Sequence, residues 1–189
     1  REFLSNISDE IVRESTIIED LLTRVRLDKS NMELKVGQVS INEMLEMVLK
    51  RLRPLAQKRN IELVLESFRP VVAEIDEVKL ALAVTNLVEN AIKYNVDDGW
   101  VRVSLNADHN FFYVKVQDSG LGIPEEAQSK VFERFYRVDK ARSRETGGTG
   151  LGLAITYSVI QLHHGAIKLY SKEGEGSTFT VRIPLIYIA

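Results

Sequence analysis

Three short segments concentrate residue types that suit an anion and a cation together. Asp118-Ser-Gly120-Leu-Gly122-Ile-Pro124 follows directly on a strand-like run, and Gly147-Gly148-Thr149-Gly150-Leu151-Gly152-Leu153 leads directly into a helix-like one. Glycines in such places let backbone N–H groups approach an anion, and the positive end of the following helix adds to the attraction. This is phosphate-cradle chemistry, although the spacing is not that of a dinucleotide fold and no P-loop lysine motif occurs. The third segment is Asn86-Leu-Val-Glu89-Asn90-Ala-Ile-Lys93-Tyr94, where Asn86, Asn90 and Lys93 share one face of a helix. Two amides and an ammonium on one stripe suit hydrated Mg²⁺ and its phosphates, because Mg²⁺ takes few protein ligands and keeps waters. Taken singly, each segment is equally a turn or a solvated helix face.

The elements that must position these segments are legible from periodicity. Residues 3–34 read as one helix, with Leu4, Ile11, Ile18, Val25 and Met32 recurring every seven residues, a pattern that favours a supercoiled pair or bundle. Lys35-Val-Gly37 reads as its stop. Ser40, with Glu43 at capping-box spacing, opens a second helix whose apolar face is Ile41, Met44, Leu45, Val48, Leu49 and Leu52, and Pro54 is expected to kink or end it. Residues 61–67 and 71–75 read as strands, 76–94 as a long helix, and 101–105 with 111–116 as a hairpin. Residues 118–150 read as a long loop containing one short apolar helix, Val131–Phe135. Leu151–Leu162 is then a helix, and 167–171 with 177–184 a last hairpin around Gly174-Glu-Gly176. This order predicts an α+β two-layer sandwich: a mixed, mostly antiparallel sheet with helices on one face, preceded by a coiled-coil-like helix. A structureless loop of that length is uncommon in a compact domain unless it is functional.

Composition narrows the function classes. The 189 residues carry 25 Lys and Arg against 27 Asp and Glu, a net charge of −2 that offers no basic field for nucleic acid. The absence of cysteine rules out disulfides, thiolate zinc sites and a thiol nucleophile. No apolar run is long enough to span a bilayer and no signal peptide is evident, which suggests a cytoplasmic, globular portion.

Taken together, the segments resemble the catalytic domain of bacterial sensor histidine kinases, within the Bergerat-type ATPase superfamily shared with gyrase, Hsp90 and MutL. Asn86–Tyr94 is similar to the N box, Asp118–Gly122 to the G1 box, Val131–Arg137 (VFERFYR) to the F box and Gly148–Leu153 to the G2 box. Gly174–Phe179 is similar to the closing glycine-rich turn. The resemblance covers residues 40–185 and implies ATP as substrate with Mg²⁺. It implies that Asp118 accepts the adenine amine, that Gly120 and Gly122 let the base approach, and that Ile123 and Leu153 lie against it with Thr178 close by. Asn90 would ligate Mg²⁺, supported by Asn86, while Lys93, Tyr94 and Arg137 would contact phosphates. N–H groups of the Gly148-Thr149-Gly150-Leu151-Gly152 run would cap the triphosphate. Glu125–Gly147 would be a lid anchored by Phe132 and Phe135. Glu89 resembles the acidic residue that serves the hydrolytic cousins as general base, whereas in histidine kinases the attacking group is a histidine from another domain.

By the same resemblance, residues 1–36 are similar to part of the dimerisation and phosphotransfer domain, with Arg13–Leu22 and Arg26–Asp28 like its second helix and residues 1–8 (REFLSNIS) like the start of its first, and residues 37–189 are similar to the ATP-binding domain. Ser8 is followed by Asp9 where the phosphoacceptor histidine is expected, so the first helix reads as truncated and the acceptor as supplied in trans. None of His109, His163 and His164 has an acceptor context; the last two read as cationic residues at a helix end. The implied partners are a response regulator receiver domain, an intact phosphoacceptor domain and a second copy in a membrane-anchored homodimer. A degenerate nucleotide-binding scaffold, and a serine-directed kinase of the anti-sigma type, are the other readings.

Overall fold

The computed structural model describes residues 33–133, 136 and 152–189. The expected N-terminal helix, Phe135, Arg137 and the run Gly148–Leu151 lie outside the described residues.

A five-stranded sheet in the order β2-β4-β5-β7-β6 forms one layer. Its strands are β2 (Glu62–Ser67), β4 (Trp100–Ala107), β5 (Phe111–Asp118), β6 (Ala166–Lys172) and β7 (Gly176–Pro184). β2 runs parallel to β4, and every other pairing in this sheet is antiparallel. The helices α1 (Ile41–Gln57), α2 (Glu77–Lys93) and α4 (Gly152–Leu162) form the second layer, with the single turn α3 (Glu125–Gln128) following β5. Val101, Val103, Leu105, Phe112, Val114, Val116, Phe179 and Val181 alternate inward from the sheet and meet Leu45, Leu49, Leu80, Leu87 and Ile92 in one apolar core. A smaller cluster of Ala83, Ile155 and Val159 joins α2 to α4. The α+β sandwich is therefore as expected.

Three local expectations are corrected. Gly37–Ser40 forms a strand, β1, antiparallel to β3 (Val72–Ile75), where the sequence suggested only a helix stop. Its partner lies more than 30 residues away, so no local periodicity announces it. Pro54 lies inside α1, which runs on to Gln57. Only one turn follows it, so the missing amide removes one bond close to the helix end. In the loop, the helical turn is Glu125–Gln128, after Pro124, while Val131–Glu133 is a turn with Val131 buried.

Caps fix the helix starts. The Glu43 amide donates to Ser40 Oγ at 3.4 Å, and the Lys79 amide donates to Asp76 Oδ1 at 3.0 Å. Asp76 is 4% exposed and its other oxygen accepts from the Lys35 amide and the Lys79 ammonium. Burial is the largest single influence and pushes its carboxyl up, but these donors together outweigh it and hold the carboxyl below the ordinary value.

Candidate functional site

Helix α2 turns its apolar side, Leu80, Val84, Leu87, Val88 and Ile92, toward the sheet. That leaves Asn86, Asn90 and Lys93 on another face, and Asn86 meets the start of α4. The contact is direct: Asn86 Nδ2 donates to the Gly152 carbonyl at 3.2 Å, and Thr156 Oγ1 donates to Gly152 and to Ala83 at 2.9 and 3.2 Å. A Cβ added at Gly152 would meet Asn86 at 3.6 Å, an ordinary contact, so nothing in the described packing demands glycine there. Asn90 and Lys93 are half-buried, and their side chains hold no hydrogen bond among the described residues.

The loop after β5 is held against the end of α2. Leu121 N donates to the Tyr94 carbonyl at 3.1 Å, and a Cβ on Gly120 would lie 2.5 Å from the same oxygen. Gly122 has φ +69°, and its Cβ would collide with the Lys172 carbonyl at 2.1 Å. Both glycines are thus required by close backbone approach within the protein.

Asp118 sits at the end of β5, on the core side of the sheet. Its Oδ1 accepts from the Gly120 amide at 2.8 Å and the Ser177 amide at 3.2 Å, while Oδ2 has no partner among the described residues. Burial pushes the carboxyl up to about 6, against the two amides that lower it. The result is a carboxyl with one oxygen fixed by two amides and the other without a partner among the described residues.

Two further side chains close the region. Phe132 packs its ring 5.6 Å from Tyr157 on α4 and edge-on to Phe179 on β7 at 6.1 Å, which ties the base of the loop to helix and sheet. Ile123 and Leu153 are partly buried against the core.

The structure separates one expected residue from the others. Thr178 pairs with Gln117 and Tyr170, and Gln117 pairs with Arg102, so Thr178 shares the open, solvent-facing side of the sheet with them. Asp118 and the helices occupy the other side. The residue at the site is Ser177, 7% exposed, whose amide meets Asp118 and whose hydroxyl lies 2.8 Å from Ser171 Oγ. Strand parity after Gly176 could have distinguished the two. His163 is also corrected. It is 2% exposed and burial holds its pKa below the usual value, so it is a neutral core residue rather than a cation at a helix end. Among the described residues no cluster of three His, Cys, Asp or Glu side chains is placed to hold a metal ion, and no helix is long and apolar enough to cross a membrane.

The structure thus brings Asn86 to the start of α4 and the loop after Asp118 to the end of the same helix α2, on an α+β sandwich. The model of the histidine kinase-, DNA gyrase B- and HSP90-like ATPases matches residues 75–186. The chain belongs to this family, as an ATP-binding catalytic domain of the sensor histidine kinase kind.

The sensor histidine kinase WalK of Bacillus subtilis is 35% identical over 185 residues, covering 96% of this chain and 30% of the relative. The sensor-like histidine kinase SenX3 of Mycolicibacterium smegmatis is 37% identical over 184 residues, covering 97% and 48%. The chain thus spans less than half the length of these relatives. Among solved structures, the catalytic domain of histidine kinase ThkA matches with TM-score 0.72 and 28% identity over 81% of this chain and 97% of that one. Full-length ShkA in complex with AMPPNP matches with TM-score 0.79 and 28% identity over 92% and 36%.

Proposed function

We propose that this chain binds Mg·ATP and presents the γ-phosphoryl group to a histidine on a separate phosphoacceptor domain. A ring nitrogen of that histidine forms the new P–N bond as the bridging Pγ–O bond breaks and ADP leaves. The protein contributes positioning and charge neutralisation, as phosphoryl transfer generally requires. The carrying observation is Asp118: one oxygen is fixed by two amides and the other is left to accept the adenine exocyclic N–H. Ile123 and Leu153 flank the base, and Gly120 and Gly122 let the loop beside it pack against the Tyr94 and Lys172 carbonyls.

Asn90, half-buried and without a partner among the described residues, would be the protein ligand to Mg²⁺. A single amide ligand suits an ion that keeps its waters. When bound, the ion neutralises charge on the phosphates. Asn86 orders the start of α4 through Gly152, where Gly148, Thr149, Gly150, Leu151 and Gly152 offer N–H groups to the triphosphate. Lys93, Tyr94 and Arg137 supply phosphate contacts. Glu89, half-buried on α2, takes a supporting role because the attacking group is an imidazole rather than water. The kinase names of the relatives favour turnover over a silent scaffold.

Residues 1–36 are proposed as part of the dimerisation and phosphotransfer region and 37–189 as the catalytic domain. The whole protein would be a membrane-anchored homodimer that passes the phosphoryl group to a response regulator. A solved relative, ThkA in complex with the response regulator TrrA, supports that partner, with 25% identity and TM-score 0.77. Calorimetric titration with AMPPNP and Mg²⁺, for the parent and Asp118→Asn, tests the site. Binding that Asp118→Asn removes supports it, and a parent that binds no nucleotide overturns it.

A further inference from the structure

Helix α2 ends at Lys93, so its last carbonyls have no partner within the helix. One side chain from a distant turn takes them. Arg59 Nη1 donates to the Ile92 carbonyl at 2.6 Å and to the Lys93 carbonyl at 2.8 Å, and Nη2 donates to the Asn95 carbonyl at 2.5 Å. Nε donates to Asp97 Oδ1 at 3.0 Å. Four of the five guanidinium N–H donors are engaged, all by residues 92–97.

The turn that carries Arg59 is itself stapled to that segment. Asp98 N donates to the Arg59 carbonyl at 3.2 Å, Asn60 Nδ2 donates to Asp98 Oδ1 at 2.7 Å, and Glu62 N donates to the Gly99 carbonyl at 3.0 Å. The loop toward β5 is held by the Asn95 side chain, one step beyond the carbonyl that Arg59 takes. Asn95 donates to the Trp100 carbonyl at 3.0 Å and accepts from Ser119 Oγ at 3.0 Å. Arg59 therefore acts on the end of α2, in the turn that links Asn90 to Lys93, while Asn95 holds the loop beside Asp118.

We infer that Arg59 is a positioning residue for the phosphate and metal end of the site. It fixes the last turn of α2, and with it the directions of Asn90 and Lys93. The inference rests on the proposed reading of α2 as the phosphate-facing helix. A planar fork meets three carbonyls at once, where an ammonium is a single point charge on a flexible stem. The cation also sits at the negative end of the α2 dipole, which favours charge there. The Asp118 carboxylate is anchored directly by the Gly120 and Ser177 amides, so Arg59 touches the adenine end only indirectly, through the Asn95 backbone.

The test compares the affinities of Mg·AMPPNP and adenosine for the parent, Arg59→Ala and Arg59→Lys, each with a thermal melt. Loss of a supporting residue behind a ligand commonly lowers affinity about 10- to 100-fold. The expected result is a loss in that range for Mg·AMPPNP in Arg59→Ala, little change for adenosine, a smaller loss in Arg59→Lys, and partial recovery of Arg59→Ala on adding guanidinium ion. A purely structural role lowers both affinities together, and that outcome overturns the inference, as do unchanged affinities. Should Arg59→Ala fail to fold, Arg59→Lys decides by the same ratio. A parent that binds adenosine and Mg·AMPPNP no better than background overturns the nucleotide reading itself, which separates the two failures.

Discussion

The imidazole of His163, at the end of α4, accepts a hydrogen bond at 3.1 Å from the backbone amide of Asp76, the residue that caps α2. Its other nitrogen lies 2.8 Å from the Val159 carbonyl, to which it must donate. The ring is thus a neutral tautomer with Nδ1 protonated and Nε2 accepting. It joins the end of the G2-box helix to the start of the N-box helix, and through Asp76 to the Lys35 amide.

The first prediction is a pH dependence of stability. Burial lowers the His163 pKa from the model-compound value of 6.5. A group depressed on folding stabilises the native state above its unfolded pKa, and the contribution is lost as pH falls through the folded one. Chemical denaturation followed downward from above pH 6.5 should show stability falling, and His163→Phe should flatten that part of the profile. The substitution also strands a buried N–H, at a cost of about 1–3 kcal/mol at neutral pH.

Asp118 gives the opposite sign. Its carboxyl is raised from 3.8 to about 6, so its stabilising contribution is present below 3.8 and is lost as pH rises through about 6. Asp118→Asn keeps an acceptor oxygen for Gly120 and Ser177 without the buried charge. Apo Asp118→Asn should therefore melt higher than the parent above pH 6, by about 1 kcal/mol after allowance for solvent screening. The same substitution turns a donor toward the adenine amine and should weaken nucleotide binding on the order of 100-fold. Parent affinity should itself fall as pH drops through about 6. Melts and titrations on the same two proteins check both halves.

The glycines divide into two kinds. Gly122→Ala puts a Cβ at φ +69° against the Lys172 carbonyl and should destabilise the fold by about 2 kcal/mol or more. Gly152→Ala meets only ordinary contact distances and should leave the melting temperature unchanged or higher, since alanine favours a helix. Its effect should fall on Mg·AMPPNP affinity. Paired melts and titrations distinguish the two, and a stable Gly122→Ala would contradict the packing account.

Ser177→Ala and Thr178→Ala form a matched pair one residue apart. Removing the Ser177 hydroxyl breaks its contact with Ser171, whose oxygen also accepts from the Ile123 amide at 2.8 Å. A cost of about 1 kcal/mol and a severalfold loss of nucleotide affinity are expected. Thr178→Ala, on the open face, should bind like the parent. Isothermal titration of the two variants provides the check.

The contrast between these two residues shows what was legible in the sequence. Elements with strong periodicity, such as α2 and the β4–β5 hairpin, stand in the alternation of their apolar residues. The helical face shared by Asn86, Asn90 and Lys93 follows from spacing alone. What the sequence hid depends on contacts between distant residues. β1 exists because Val72–Ile75 pairs with it. Thr178 falls on the outer face by plain alternation with Ser177, Phe179 and Val181, a parity the sequence did carry. His163 is kept neutral by burial, and its tautomer is set by an amide 87 positions away. Arg59 carries no motif at all, and only the folded end of α2 gives it meaning.

The sheet places Trp100, the chain's single tryptophan, at the first residue of β4. Its carbonyl accepts from Asn95 and from the Ser119 amide, and the Arg102 guanidinium lies 5.2 Å from its ring centre. The one indole therefore lies on the open face of the sheet, on the residue whose backbone joins the N-box helix to the G1 loop. The chain carries its own optical probe there: excited beyond the absorption of its six tyrosines, it emits from this one residue without a label and can time events on either side of that joint.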